Sequence, residues 1–235
     1  MKYYVDDKEF GRVLITLRRG MRHITARWQD EHLEMSAPLG VMPADVRRSL
    51  DNLRPRLRQL RLRRPPLSYA IGQQIACFGC TITLVEQNKV ASRLVLGRNG
   101  PHLTLGIPVG LDLTAEPNKK FISRGLLALV EGEMADRLFP YASEVAREVG
   151  VCPTAWQVGR GLRKLGHCTA KGEIQLSRSV MFLPERLVRL VVCHELAHLT
   201  HMNHSPQFHA LVNAYLHGTE KVLERELKHF AWPVM

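Results

Sequence analysis

No stretch of the sequence reaches the roughly 20 uncharged apolar residues that a membrane-spanning helix needs. The opening Met1-Lys2-Tyr3-Tyr4-Val5-Asp6-Asp7-Lys8-Glu9 also lacks the apolar core of a signal peptide. A cytoplasmic chain with no membrane partner is the expectation. Cysteine is scarce: Cys77, Cys80, Cys152, Cys168 and Cys193 are the five in 235 residues. An odd number, thinly spread, argues against a disulfide framework and for reduced thiols. Cys77-Phe78-Gly79-Cys80 is a lone CxxC, and a four-thiolate zinc site would need a second pair. The β-type residues that follow it (Thr81 to Val85) predict buried thiols in a strand hairpin instead. Aromatics make up 6% and none interleaves the arginines, which argues against a surface that stacks on bases. No internal repeat or low-complexity segment stands out.

What is present is a globular composition, 45% apolar and 23% charged, enough for one large domain or two small ones. The net charge of +11 suggests an anionic partner. Its distribution is local, however. Arg47, Arg48, Arg54, Arg56, Arg58, Arg61, Arg63 and Arg64 face one acid, Asp51, within eighteen residues, so this segment carries +7 and the rest +4. The run from Arg47 to Arg64 is therefore a candidate for weak contact with nucleic acid or another polyanion. The competing reading is a solvated helix face whose arginine stems cover apolar surface.

Residues 12–17, 22–28 and 31–36 read as short strands of an antiparallel meander. From Pro43 to about Leu62, Val46, Leu50, Leu53, Leu57 and Leu60 recur every three or four positions and predict an arginine-rich helix. Pro55 is expected to kink or split it, and Pro65-Pro66 to stop it. A second β region covers 74–78, 81–86, 93–96 and 103–107. Residues 118–150 read as helical, with Phe121, Leu126, Leu129, Val130, Met134 and Leu138 as core positions. A strand is expected within 155–165. Glu173-Ile174-Gln175-Leu176 alternates like a half-buried or edge strand. The fold class is α+β, with a β-rich region over 1–110 and a catalytic domain over 111–235.

The chemistry lies in His194-Glu195-Leu196-Ala197-His198, an HExxH. On a helix the two histidines stand one turn apart on one face and can converge on a Zn²⁺. Glu195 sits beside that point, placed to accept a proton from water. Pro184 and the apolar residues Leu187 to Val192 give the segment the character of a buried helix. Three more histidines compete to be the third ligand. His201 lies about 10 Å along the axis from His194, too far for an unbroken helix. His204 completes HExxHxxHxxH, provided that the chain turns at Met202-Asn203, where Asn tolerates the left-handed conformation. Ser205-Pro206 then reads as the start of a new helix, with Gly218 as its stop. His209 falls inside that helix, as a packing or supporting residue. The predicted site is thus Glu195 as general base and one Zn²⁺ on His194, His198 and His204.

The run His194-Glu195-Leu196-Ala197-His198-Leu199, His201, Asn203-His204-Ser205 and Phe208 resembles the YgjP-like metallopeptidase family, related to the SprT and WLM zinc protease groups. Lys171 to Leu176 and Leu183-Pro184 match that family's strand and helix start. Leu165-Gly166-His167-Cys168 stands where the family usually has Trp-Gly-Ser-Cys, and His209 where an aromatic usually follows Phe208. The resemblance implies a minimal zincin: an active-site helix, a backing helix over about 120–149, and a small sheet whose edge strand, Gly172 to Ser177, takes a peptide substrate. His167, His201 and Tyr215 are candidates to stabilise the oxyanion. Two other functions share these residues: hydrolysis of nucleotide phosphoanhydrides by the same metal, and a DNA-associated protein with a structural metal.

Overall fold

The computed structural model describes residues 1–29, 32–63, 67–87, 93–161 and 164–235, with the backbone alone at 62 and 63. The contacts divide the chain into two compact units, Met1–Leu67 and Ser68–Met235, rather than at residue 110. The second β region thus belongs with the helices that follow it.

In the first unit, strands β1 (Lys2–Asp7), β2 (Gly11–Arg18), β3 (Thr25–Gln29) and β4 (His32–Pro38) precede helix α1 (Pro43–Arg63). The sheet order is β1-β2-β4-β3, with β2 and β4 parallel, so it is not the expected meander. The reason is burial. Val13 and Ile15 of β2 and Leu33, Met35 and Ala37 of β4 are fully buried, whereas β3 buries no residue completely. The two strands with the stronger apolar alternation therefore take the centre. Val46, Leu50 and Leu57 of α1 close this core, while Leu60, also expected inside, is 39% exposed. Helix α1 runs unbroken through Pro55. Pro55 and Asp51 are both exposed, so the carbonyl stranded by the proline is open to water. Arg64 and the expected stop at Pro65-Pro66 lie outside the described residues.

The second unit opens with β5 (Gln74–Cys77), β6 (Cys80–Glu86), β7 (Val95–Asn99) and β8 (His102–Ile107), followed by α2 (Glu116–Glu133). Cys77 pairs with Cys80 across a tight hairpin, as read from the sequence, but only Cys80 is buried and Cys77 is half-buried at the turn. The order β5-β6-β8-β7, with β6 and β8 parallel, repeats that of the first unit. The likeness reaches single residues. His32-Leu33, Met35, Pro38 and Gly40 correspond to His102-Leu103, Leu105, Pro108 and Gly110. Each set ends in a turn in which Val41 N donates to Pro38 O, or Leu111 N to Pro108 O. Gly40 and Gly110 take the positive φ (97° and 75°) that the third position of a type II turn requires. A structural repeat is therefore present where the sequence alone revealed none.

Helix α2 continues through a π-helical turn (Met134–Leu138) into α3 (Phe139–Glu148). Pro140 would lose its bond to, and clash with, the carbonyl four residues back, and the wider turn relieves this. The third sheet comprises β9 (Ala155–Gly159), β10 (Gly166–Cys168) and β11 (Glu173–Ser177), in the order β10-β11-β9. A 3₁₀ turn (Arg178–Phe182) leads to α4 (Glu185–Ala197), α5 (Pro206–Tyr215) and α6 (Glu220–Lys228). Helix α4 packs on α3, α5, α6, β10 and β11, which surround it almost completely. Among the described residues, no helix is long and apolar enough to cross a membrane.

Candidate metal centre

Helix α4 carries Leu187, Val188, Leu190, Val191, Val192, Cys193, Leu196 and Ala197, all buried, so its two histidines are held on a rigid core element. His194 and His198 stand one turn apart, with ring centroids 5.1 Å apart. The chain leaves the helix at Leu199 and returns at Ser205, whose side chain caps α5 by accepting from Phe208 N. His204 is thereby set against both rings, its centroid 5.0 Å from His194 and 4.8 Å from His198. One ring nitrogen from each of the three lies within 4.8 Å of the others. The turn forms without a left-handed Asn203: His217 is the one described non-glycine residue with positive φ, just before Gly218.

These nitrogens are prepared for a cation. His198 Nδ1 is 2.9 Å from the His201 carbonyl, so it donates there and leaves Nε2 with its lone pair free. His194 Nε2 and His204 Nε2 are 3.1 Å apart. Two ligands of one tetrahedral zinc are about 3.4 Å apart, given Zn–N bonds near 2.1 Å. Burial, reinforced by the neighbouring histidines, pushes His194 down to about 4, so its ring is neutral at physiological pH. Burial also lowers His198. The donor set, three imidazoles with converging nitrogens, suits a borderline metal such as zinc.

Beside them Glu195 is 5% exposed, and burial raises its carboxyl to about 7 against a small opposing pull from Lys164. Phe208, fully buried, underlies all three rings. It stacks on His198 at 4.5 Å and meets His194 and His204 at 4.9 and 4.8 Å. A cavity of about 510 Å³ opens over the site. Its walls include Leu190, Val191 and Leu227, and its rim Lys164, His167 and Glu224.

The other candidates divide. His201 contributes its carbonyl to His198 and no ring nitrogen to the trio. His209 Nδ1 lies 2.7 Å from the buried Glu220, so it belongs to a separate pair. His167 lines the cavity, whereas His201 and Tyr215 do not. The expected edge strand is corrected: Glu173–Ser177 is central, flanked by β9 and β10, and the edge at the cavity is β10. Ile174 and Leu176 are fully buried, which explains the central position. In the sequence Phe208 and Gly166 stand within motifs that assign neither of them a role.

The arginine run is largely engaged within its own unit. Arg54 bonds to Asp7, Glu9 and Asp51, Arg58 to Glu9, and Arg61 lies over Trp28. Arg48 faces Asp45 at 3.8 Å.

No curated protein and no solved structure matches the chain. One family model does, the YgjP-like metallopeptidase domain, over residues 22–230. That span takes in almost the whole chain, including the HExxH helix and the loop to His204. The chain belongs to the YgjP-like metallopeptidase family.

Proposed function

We propose that this metallopeptidase holds one Zn²⁺ on His194, His198 and His204 and uses Glu195 to move protons during peptide hydrolysis. The observation that carries this reading is the convergence of three imidazole nitrogens beside a buried carboxylate, under a cavity rimmed by an open strand edge. Bound zinc would supply a Lewis acid that polarises the scissile carbonyl and acidifies water. Glu195 takes the proton from the attacking water and hands it to the departing amine. Burial raises its carboxyl to about 7, and the charge of a bound cation would favour the carboxylate form that a base requires.

Strand β10 offers the substrate a backbone. Leu165 O accepts from Ser177 N, and Thr169 N donates to Glu173 O, so odd-numbered residues bond to β11. By the alternation of antiparallel pairs, Gly166 and Cys168 direct their N–H and C=O groups to the open edge. A peptide added there as a further strand is held by main-chain bonds, independent of its side chains.

Metal analysis should return about one zinc per chain for the wild type and a marked loss for His204→Ala. Retention by His204→Ala together with loss by His209→Ala would assign the third ligand to His209. A panel of peptides and nucleoside triphosphates, with Glu195→Gln as control, tests the substrate. Peptide cleavage abolished by Glu195→Gln is expected. Cleavage of nucleotides alone would overturn the peptidase reading.

A further inference from the structure

Gly166 is one of the few glycines with a crowded α-carbon and an ordinary backbone. Its φ is not positive, so any L-residue could adopt its strand conformation. The restriction is space. A Cβ at this position would fall 2.5 Å from Glu195 Cδ and closer still to Cγ and Oε1. Nothing else crowds it so closely. The same residue lies at the cavity edge, with its backbone polar groups turned to the open side of β10. Its Cα face thus covers the carboxylate of Glu195, and its peptide plane faces the place where a substrate strand would add.

We infer that Gly166 is a positioning residue: strand β10 presses its bare Cα onto the Glu195 side chain and fixes the direction of the carboxylate. This rests on the proposed role of Glu195 and extends it. A long acidic side chain on a helix samples several rotamers, and the loss of those alternatives is what a proton-transfer geometry requires. A side chain at 166 would push the carboxylate out of this slot, because the end of Glu195 moves more easily than the strand. The three imidazoles, none of which supplies an atom nearest to the added Cβ, would keep their arrangement.

The test is a cycle of Gly166→Ala and Glu195→Ala, read by thermal unfolding without metal, by zinc content and by peptide hydrolysis. Gly166→Ala is expected to bind zinc as the wild type does, to lose at least about tenfold in kcat by the loss of orientation, and to change KM little. It should lower the melting temperature more in the wild-type background than in the Glu195→Ala background, because truncation removes the atoms that clash. If Gly166→Ala proves too unstable to assay, recovery of folding in the double variant still identifies Glu195 as the clashing group. Equal shifts in both backgrounds, or an unchanged kcat, would overturn the inference. Full peptidase activity in Glu195→Ala would instead overturn the proposed base, while the stability cycle continued to report on the contact.

Discussion

Phe208 shows how much of the centre depends on a side chain that does no chemistry. Its ring touches all three histidines and is wholly enclosed, so it fixes their mutual tilt as well as their spacing. Phe208→Ala is expected to cost about 3–5 kcal/mol of stability by the cavity it leaves. It should also weaken zinc binding about 10–100-fold, as loss of a supporting contact does. Phe208→Leu, which keeps most of the volume, should retain more of both. Unfolding curves with competitive zinc titrations check this, and wild-type affinity in Phe208→Ala would show that the rings hold themselves. The grouping of the three histidines was legible, since i and i+4 on a helix is a fixed geometry, and Ser205-Pro206 marked where the chain turns back. Phe208 and Gly166 acquire their roles only from contact across elements, and spacing along a chain carries no trace of that.

At the level of elements, helix α1 is the clearest case of charge used internally. Arg54, 22% exposed, bonds to both oxygens of Asp7 and to Glu9 and Asp51. The Arg54 hydrogen bonds hold the Asp7 carboxyl well below the usual carboxylate range, against the effect of its burial. A depressed folded value means that this contribution is full above the unfolded value near 4 and is lost as the pH falls below it. Arg54→Ala is therefore expected to cost about 1–2 kcal/mol at neutral pH. That deficit should shrink as Asp7 protonates in acid. Denaturant unfolding of both proteins at pH 7 and pH 2.5 measures it, and a deficit independent of pH would point to lost packing instead. The sequence revealed the helix and its apolar face but not the pairing with Asp7 and Glu9, which lie more than forty positions away. It also misplaced the edge of the third sheet. Alternation in Glu173–Leu176 identifies a strand with two faces, but its rank in a sheet is set by which neighbours pair with it.

On the scale of the whole molecule, every side chain of the proposed centre falls between Lys164 and Leu227, inside the unit Ser68–Met235. That unit has its own core, including Ile82, Leu84, Ile122, Leu126, Leu187 and Leu196. A chain trimmed to Ser68–Met235 is expected to fold cooperatively and bind one zinc. Failure to do either in circular dichroism and metal analysis would show that residues 1–67 are required for the centre. The β-then-helical character of the chain was legible in its composition. The boundary was not, because a second sheet that resembles the first reads as its continuation.

That resemblance bears on how the chain avoids pairing with itself wrongly. Strands β4 and β8 share their apolar alternation and closing turn, so during folding each is a competitor for the other's place in its sheet, a recognised failure of repeated units. Several cross-strand pairs distinguish them, one by charge and close fit together. In the first sheet Arg27 lies opposite Glu34 and bonds to it; in the second Gly97 lies opposite Thr104, so close that a Cβ would overlap the hydroxyl. An exchange would leave Glu34 beside a glycine and set Arg27 against a threonine, forfeiting an ion pair and a close fit together.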